Sequence, residues 1–273
     1  IKSKTALQLL YRTERIILNG ADLVSTISEG MLKKVQRKTK QPVCLFPNWV
    51  DTQLFYPLGE KEALKREYGF QPGDKIILYS GAIGEKQGLE SILYAAQALQ
   101  QHQNLKFLIC GSGPYREKLE KRCRELALTN MTFLPLQPFE KLNRFLNMAD
   151  VHLVLQKADA SDLVMPSKLT TILAIGGSVI VTAREGTSLH EVLTTHNMGI
   201  VIEPDDQAAL NTSILQTLFE NNEVLKQNAR NYAQKYIAID GILSHFLAEV
   251  DLRLEKRKRT KASPKTVFEK TAA

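Results

Sequence analysis

Val151-His-Leu-Val-Leu155 and, three residues on, Ala158-Asp-Ala-Ser-Asp-Leu-Val-Met-Pro-Ser-Lys-Leu-Thr-Thr-Ile-Leu-Ala174 form the stretch on which the fold turns. The first run is short, apolar and bounded by polar residues, as expected of a strand buried in a parallel sheet. The second begins as a polar loop and becomes a helix at Pro166-Ser167. Proline fits a first turn that needs no amide donor, and serine offers an oxygen to the free amides downstream. Lys168 falls where those amides point. A helix start carries partial positive charge and uncommitted N–H groups, so this turn suits a phosphate. The alternative is an ordinary β-to-α turn with a solvated lysine.

Outward from that stretch the chain alternates. Strands are expected at Ile76 to Tyr79, Lys106 to Cys110, Met131 to Leu134, Val151 to Leu155, Ser178 to Thr182 and Gly199 to Ile202. Helical patterns lie between them, from Gly88 to Gln101, Tyr115 to Leu126, Glu140 to Ala149, Ser167 to Ile175 and Ser188 to Thr194, and two more follow, Asp206 to Phe219 and Asn222 to Tyr236. Strands separated by helices of this length build right-handed βαβ units, giving an α/β, Rossmann-like parallel sheet with helices on both faces. In the strand order 3-2-1-4-5-6 the sheet reverses between its first and fourth strands, and ligands bind beyond the carboxyl ends there. That selects two loops, Ser80 to Gly88 and Leu155 to Lys168.

The first loop carries Gly81, Ala82, Gly84 and Gly88 with Lys86 among them, so its backbone admits a close anion while the lysine neutralises it. No GK[ST] closes it, which excludes a Walker loop, and GxGxxG is missing after the first strand. Gly111-Ser-Gly113-Pro114 is a further tight turn into a helix, and its plain-turn reading stands beside the functional one. No Ser-His-Asp or Cys-His constellation assembles, and Asp159-Ala-Ser-Asp162 lacks the spacing of a DxD metal chelate. His152 reads as a core histidine; His102, His190, His196 and His245 read as surface residues.

The 273 residues, 44% hydrophobic, suffice for one large core or two smaller ones. The longest apolar stretch, Ile172 to Ala183, is broken at Gly176-Gly177 and falls well short of the roughly 20 residues that span a bilayer. Cys44, Cys110 and Cys123 have neither the number nor the spacing of a disulfide framework or zinc site, so a reducing cytoplasm is expected. Of the net charge of +7, an excess of +5 lies from Asp251 onward. This basic tail is expected to be disordered, with contact to an anionic membrane surface as a second reading and nucleic acid effectively excluded. A helix at Lys4 to Asn19, strands at Asp22 to Ile27 and Pro42 to Phe46, and a chain opening without Met suggest a piece of a longer protein. The expected organisation is residues 1–50 as the remnant of a preceding domain, 51–75 as hinge, 76–250 as the Rossmann-like domain and 251–273 as the tail.

Tyr79-Ser-Gly-Ala-Ile-Gly-Glu-Lys-Gln-Gly-Leu-Glu90, Gly111-Ser-Gly-Pro114, Phe133-Leu-Pro-Leu-Gln-Pro138, Ala149-Asp-Val-His-Leu153 and Val164-Met-Pro-Ser-Lys-Leu169 with Ala174 and Gly176 resemble glycosyltransferase family 4, most closely its colanic-acid-type exopolysaccharide transferases. Ala21 to Met31 and Phe46-Pro-Asn-Trp-Val-Asp51 are similar to that family's domain junction. The resemblance spans roughly residues 15 to 240. It implies the C-terminal domain of a GT-B fold plus a remnant of the N-terminal domain. It further implies retaining sugar transfer from a UDP- or GDP-sugar, without an essential metal or other cofactor, onto a polysaccharide or lipid-linked acceptor, in the cytoplasm or at the inner face of the membrane. In such enzymes positive groups stabilise the leaving diphosphate. Lys168 and Lys86 would supply the charge, with Gly81, Ala82, Gly84, Gly111, Gly113, Asp162, Met165, Pro166, Ser167, Leu169 and Thr171 lining the donor.

The chain also departs from the family pattern. The second glutamate of its E-x7-E arrangement, the one that bonds ribose, falls on Thr171, and the first falls near Asp162 or Leu163. The usual Arg and Lys of the first loop appear as Ala82 and Gln87, and the acceptor-binding half is almost wholly missing. A non-catalytic nucleotide-sugar-binding or regulatory module on the same fold is therefore the alternative, and a sugar-nucleotide epimerase a weaker third.

Overall fold

The computed structural model describes residues 3–158 and 166–262, with side chains through Glu255. It divides into two compact units. The smaller holds the chain up to Pro47 and the chain from Asp240 on. In it α1 (Lys4–Gly20) is capped by the Ser3 hydroxyl, and α2 (Glu29–Gln36) by the Ser28 hydroxyl. β1 (Val24–Thr26) and β2 (Val43–Leu45) pair in parallel. The last helix, α11 (Ile239–Ala262), runs through Asp251 to Ala262, so the disorder expected from Asp251 is not what those residues adopt. Phe246 of α11 stacks on Phe46 with ring centroids 4.4 Å apart, which gives the helix an apolar anchor ahead of its basic run. Residues 263–273 lie outside the described residues. Among the described residues no helix is long and apolar enough to cross a membrane.

The larger unit, Asn48–Ile239, contains a six-stranded parallel sheet. Its strands are β3 (Lys75–Ser80), β4 (Leu105–Cys110), β5 (Met131–Leu134), β6 (Val151–Val154), β7 (Val179–Thr182) and β8 (Ile200–Ile202), in the order β5-β4-β3-β6-β7-β8. This is the expected 3-2-1-4-5-6 arrangement, reversing between β3 and β6. Side chains alternate across each strand, so both faces are apolar. On β3, Ile76 and Leu78 join one core, and Ile77 and Tyr79 join the other. The first core is covered by α3 (Lys61–Glu67), α6 (Phe139–Asn147), α7 (Ser167–Ala174), α8 (Ser188–His196) and α10 (Glu223–Tyr236). α4 (Glu90–Ala98), α5 (Arg116–Glu125) and α9 (Gln207–Phe219) cover the second.

The segment 51–75, expected as a hinge, contains α3 and contributes Phe55 and Leu64 to the first core. Arg230 of α10 holds it in place, donating from Nη1 to the carbonyls of Phe55 at 2.9 Å and Ala174 at 2.6 Å, and from Nη2 to that of Thr52 at 3.2 Å. The same guanidinium thereby ties down the end of α7, whose start bears Lys168.

Below the sheet, at the amino ends of its strands, sits a charged cluster. Lys65, fully buried, donates to the Asp74 carbonyl at 2.7 Å and lies 2.9 Å from Glu62 Oε1 and 3.1 Å from Asp150 Oδ2. The same Asp150 oxygen accepts the Ile76 amide, so one carboxylate starts β3 and balances a buried ammonium. Breaking a buried pair leaves an uncompensated charge, whereas replacing both partners does not. Asp150→Ala is expected to lower the unfolding free energy by about 3–5 kcal/mol in urea titrations, and Lys65→Met/Asp150→Asn to recover most of that loss.

Candidate functional site

The site is built where β3 and β6 part. β3 pairs with β4 along all six of its residues, but with β6 only at Ile77↔Val151 and Leu78↔His152. Beyond Leu78 the two strands share no further rung, and the loops that follow them border the resulting crevice.

Three loops on one side of it are fastened backbone to backbone. The Gly81 amide donates to the Cys110 carbonyl at 2.9 Å, that of Ile83 to Ser112 at 2.8 Å, and that of Gly111 to Leu134 at 3.1 Å. Such close approach explains the glycines. A Cβ on Gly111 would stand 1.9 Å from the Gly81 carbonyl oxygen, and one on Gly113 would stand 2.1 Å from that of Ile83. Arg116 clamps the far end, donating to the carbonyls of Gly111 (2.8 Å) and Leu134 (2.9 Å) while Glu120 holds its Nε at 2.7 Å. From beneath, the Tyr79 hydroxyl donates to the Ala82 carbonyl at 2.6 Å.

Lys168 enters from the other side, on the first turn of α7. Its side chain lies along Gly81, so closely that a Cβ there would be 2.8 Å from the Nζ. The ammonium sits 3.6 Å from the centre of the Tyr79 ring. No carboxylate among the described residues pairs with it. Burial pushes its pKa down to about 7, and the ring face favours the charged form against that cost. Burial also pushes the Tyr79 phenol up, so it stays a neutral donor.

The start of α7 differs from expectation. Pro166, not Ser167, occupies the cap position, with φ −63° and ψ 120°, and no side chain caps the helix. Ser167 is the first helical residue, and its carbonyl accepts the Thr170 hydroxyl. The Leu169 amide is committed to the Pro166 carbonyl at 2.9 Å, which leaves those of Ser167 and Lys168 without backbone partners among the described residues. Leu169 points its side chain into the core. The Thr171 hydroxyl donates to the Lys168 carbonyl at 2.9 Å, so it has spent its proton within the helix.

The structure thus sets Lys168 and Gly111 against Gly81, Gly113 against Ile83, and the Ala82 carbonyl over the Tyr79 hydroxyl. Lys86 stands apart from this group. It lies exposed in a 3₁₀ turn, Glu85–Gln87, where its carbonyl takes the Lys157 amide. In the same turn Gly84 is covered by the Gln87 side chain. Asp162 and Met165 lie outside the described residues. His152 is buried with its pKa pushed down to about 3, a neutral core histidine. Sequence reasoning missed the roles of Tyr79 and Arg116. Tyr79 had a signal, since a tyrosine at the end of a buried strand puts its hydroxyl at the loop above; Arg116 looks like any exposed helix residue. Among the described residues no cluster of three metal-ligating side chains exists.

A doubly wound parallel sheet with glycine-knit loops and a lysine at its switch point defines a Rossmann-like α/β protein. The model for glycosyl transferases group 1 matches residues 60–236, and the chain belongs to that family. It is 39% identical over 250 residues to WcaI of Escherichia coli (strain K12), whose name assigns it to colanic acid biosynthesis as a glycosyl transferase; the match covers 89% of this chain and 60% of WcaI. Sucrose-phosphate synthase from Thermosynechococcus elongatus superposes with a TM-score of 0.74 at 22% identity, over 96% of this chain and 65% of that one. Anabaena HepE, solved with UDP and glucose, gives 0.73 at 14% over 89% and 67%. These structural neighbours are GT-B glycosyltransferases, and this chain shares that fold. The chain therefore spans less than two thirds of the length of the first relatives it matches.

The glycine interlock is testable without a ligand. Gly111→Ala is expected to cost more than about 1 kcal/mol, since its new methyl meets backbone that cannot step aside. Gly20→Ala, in helix α1 with nothing within 4 Å, serves as the control and does not lower the thermal midpoint.

Proposed function

We propose that this chain is the donor-binding part of a glycosyltransferase that moves a sugar from a nucleotide diphospho-sugar, UDP- or GDP-linked, to a polysaccharide or lipid-linked acceptor with retention. The observation that carries this reading is the Lys168 ammonium, buried on Gly81 and Tyr79 with no carboxylate among the described residues to balance it. A cation in that position is stabilised by an incoming anion. Negative charge grows on the β-phosphate as the glycosidic bond breaks, and a fixed ammonium beside it lowers the barrier. The free amides of Ser167 and Lys168, at the positive end of α7, supply the remaining donors. Protein cations then neutralise the diphosphate without an essential metal, and Lys86, exposed at the mouth, contributes long-range attraction.

The reading is supported by family membership and by HepE, which was solved with UDP and glucose. The likeness to WcaI favours an exopolysaccharide acceptor. A cytoplasmic setting agrees with the free thiols, and the basic end of the chain would suit an anionic membrane face. Thr171 favours a second reading, a nucleotide-sugar-binding module without catalysis, because its hydroxyl is already engaged where the family carries a glutamate. Donor hydrolysis by the full-length protein separates the two, since the binding module would turn over no donor.

Two experiments test the site. Lys168→Met is expected to abolish UDP and GDP binding in calorimetry with EDTA present while leaving the unliganded protein at least as stable, because it removes a buried charge. Unchanged affinity in that variant refutes the assignment. The second concerns pH. In the free protein the lysine titrates near 7, so above that pH it must take up a proton to meet the diphosphate. Affinity should fall by about tenfold per pH unit between roughly 7.5 and 9, with proton uptake visible as a buffer-dependent heat. A pH-independent affinity there removes Lys168 from the phosphate.

A further inference from the structure

A second cavity, of about 390 Å³, opens on the face of the sheet that carries α4 and α9. Its floor is the carboxyl end of the far half of the sheet: Leu155 after β6, Thr182 of β7 and Ile202 of β8. α4 and the turn before it form one wall, with Gln87, Glu90 and Tyr94; the chain entering α9 forms the other, with Asp205 and Gln207. Neither Lys168 nor Gly81 borders it. The 81–88 loop stands between the two sites, with Gln87 turned toward the cavity and its amide oxygen folded over Gly84.

Its volume falls within the roughly 300–1,000 Å³ typical of small-molecule sites. Its chemistry is selective. Gln87 Oε1 and Glu90 Oε2 are buried acceptors with no hydrogen-bond partner. Glu90 is held in position by its other oxygen, which accepts the Tyr115 hydroxyl. Buried acceptors left unpaired are costly, and both of these call for a donor. Glu90, Asp205 and Asp206 outnumber Lys157, so the cavity repels the anions that the Lys168 crevice attracts. Asp205 and Asp206 are already engaged by backbone amides, of Ala158 at 3.3 Å and Ala209 at 2.9 Å, and the described residues hold no metal-binding group of three. The Tyr94 ring, 40% exposed, offers a flat apolar surface beside these acceptors. Many hydroxyl donors, no charge and an apolar face together describe a sugar ring.

We propose that this cavity is a docking subsite for a neutral oligosaccharide segment, one ring stacked on Tyr94 and a hydroxyl donating to Glu90 Oε2. The sugar class rests on the function proposed above, to which this adds a second place where a saccharide is held. Because Gln87 belongs to the loop that borders the phosphate crevice, an occupied cavity braces that loop from behind. Saccharide and nucleotide should then strengthen one another's binding by the same factor.

The test uses the whole chain with cellotetraose and maltotetraose as β- and α-linked neutral probes, followed by saturation-transfer NMR and titration, with UDP titrated in the same samples. At least one tetrasaccharide should bind. Tyr94→Ala should weaken it by about fivefold or more, as expected for loss of a ring-stacking contact, while Tyr94→Phe retains it and both variants bind UDP alone as before. UDP binding without either tetrasaccharide at about 20 mM, or saccharide binding that ignores Tyr94→Ala and Glu90→Gln, overturns the cavity's assignment while the nucleotide site stands. Saccharide binding that depends on Tyr94, with no nucleotide bound, supports the cavity and counts against the donor site.

Discussion

Everything at this site follows from the shortness of one strand pairing. Two rungs between β3 and β6 hold the halves of the sheet together at Leu78, and above that level the two strands share no further rung. Backbone polar groups left without a ladder need other partners. On the β4 side they find them in neighbouring loops, through Gly81 to Cys110 and Ile83 to Ser112. On the β6 side the Lys157 amide donates to the Lys86 carbonyl at 3.0 Å, and the Lys168 side chain lies along Gly81. Separation of two strands at a reversal of winding thus becomes a cation set among glycine backbone, over an aromatic ring.

That placement trades stability for affinity. A buried ammonium without a carboxylate is an unfavourable state, offset in part by the Tyr79 ring. An aspartate paired with Lys168 would have to be displaced by an incoming anion, and none of the described residues supplies one. The cluster beneath the sheet shows that arrangement, with Lys65 satisfied by Glu62, Asp150 and the Asp74 carbonyl, and its role is to hold β3 in place. Lys65 and Lys168, at opposite ends of the sheet, therefore differ in whether a carboxylate among the described residues accompanies them.

The fold was legible in the sequence because it rests on period and punctuation. The alternation of β-branched runs with amphipathic segments was enough to place six strands in order, and the strand order selected both loops of the crevice. The glycines were legible as well, though not their reason, since the interlock of Gly111 with the Gly81 carbonyl is a contact across 30 residues. Less visible were features whose meaning depends on a neighbour. α3 hides in a segment rich in charge and short of apolar period, because only Leu64 and Lys65 of it are buried, and a buried lysine looks exposed in a sequence. Pro166 and Ser167 were read one position out of register because both residue types suit either cap or first turn. Lys86 looked like a phosphate ligand by its place among glycines, but the 3₁₀ turn that carries it leaves its side chain in solvent.

Thr171 shows how a departure from a family pattern becomes interpretable once its bonds are known. By residue type alone a threonine could offer a hydroxyl to a ribose, weakly replacing a carboxylate that accepts two. Bonded back to the Lys168 carbonyl, it has only lone pairs left, and these can accept but cannot orient two hydroxyls at once. On the proposed function, recognition of a nucleotide would fall mainly on its phosphates, through charge and amides, and less on its ribose. A site of that kind discriminates poorly among bases and depends strongly on ionic strength and on the protonation of one lysine. On that reading selectivity would come from elsewhere in the molecule, and the cavity behind the 81–88 loop has unpaired acceptors, Gln87 Oε1 and Glu90 Oε2, beside the exposed Tyr94 ring.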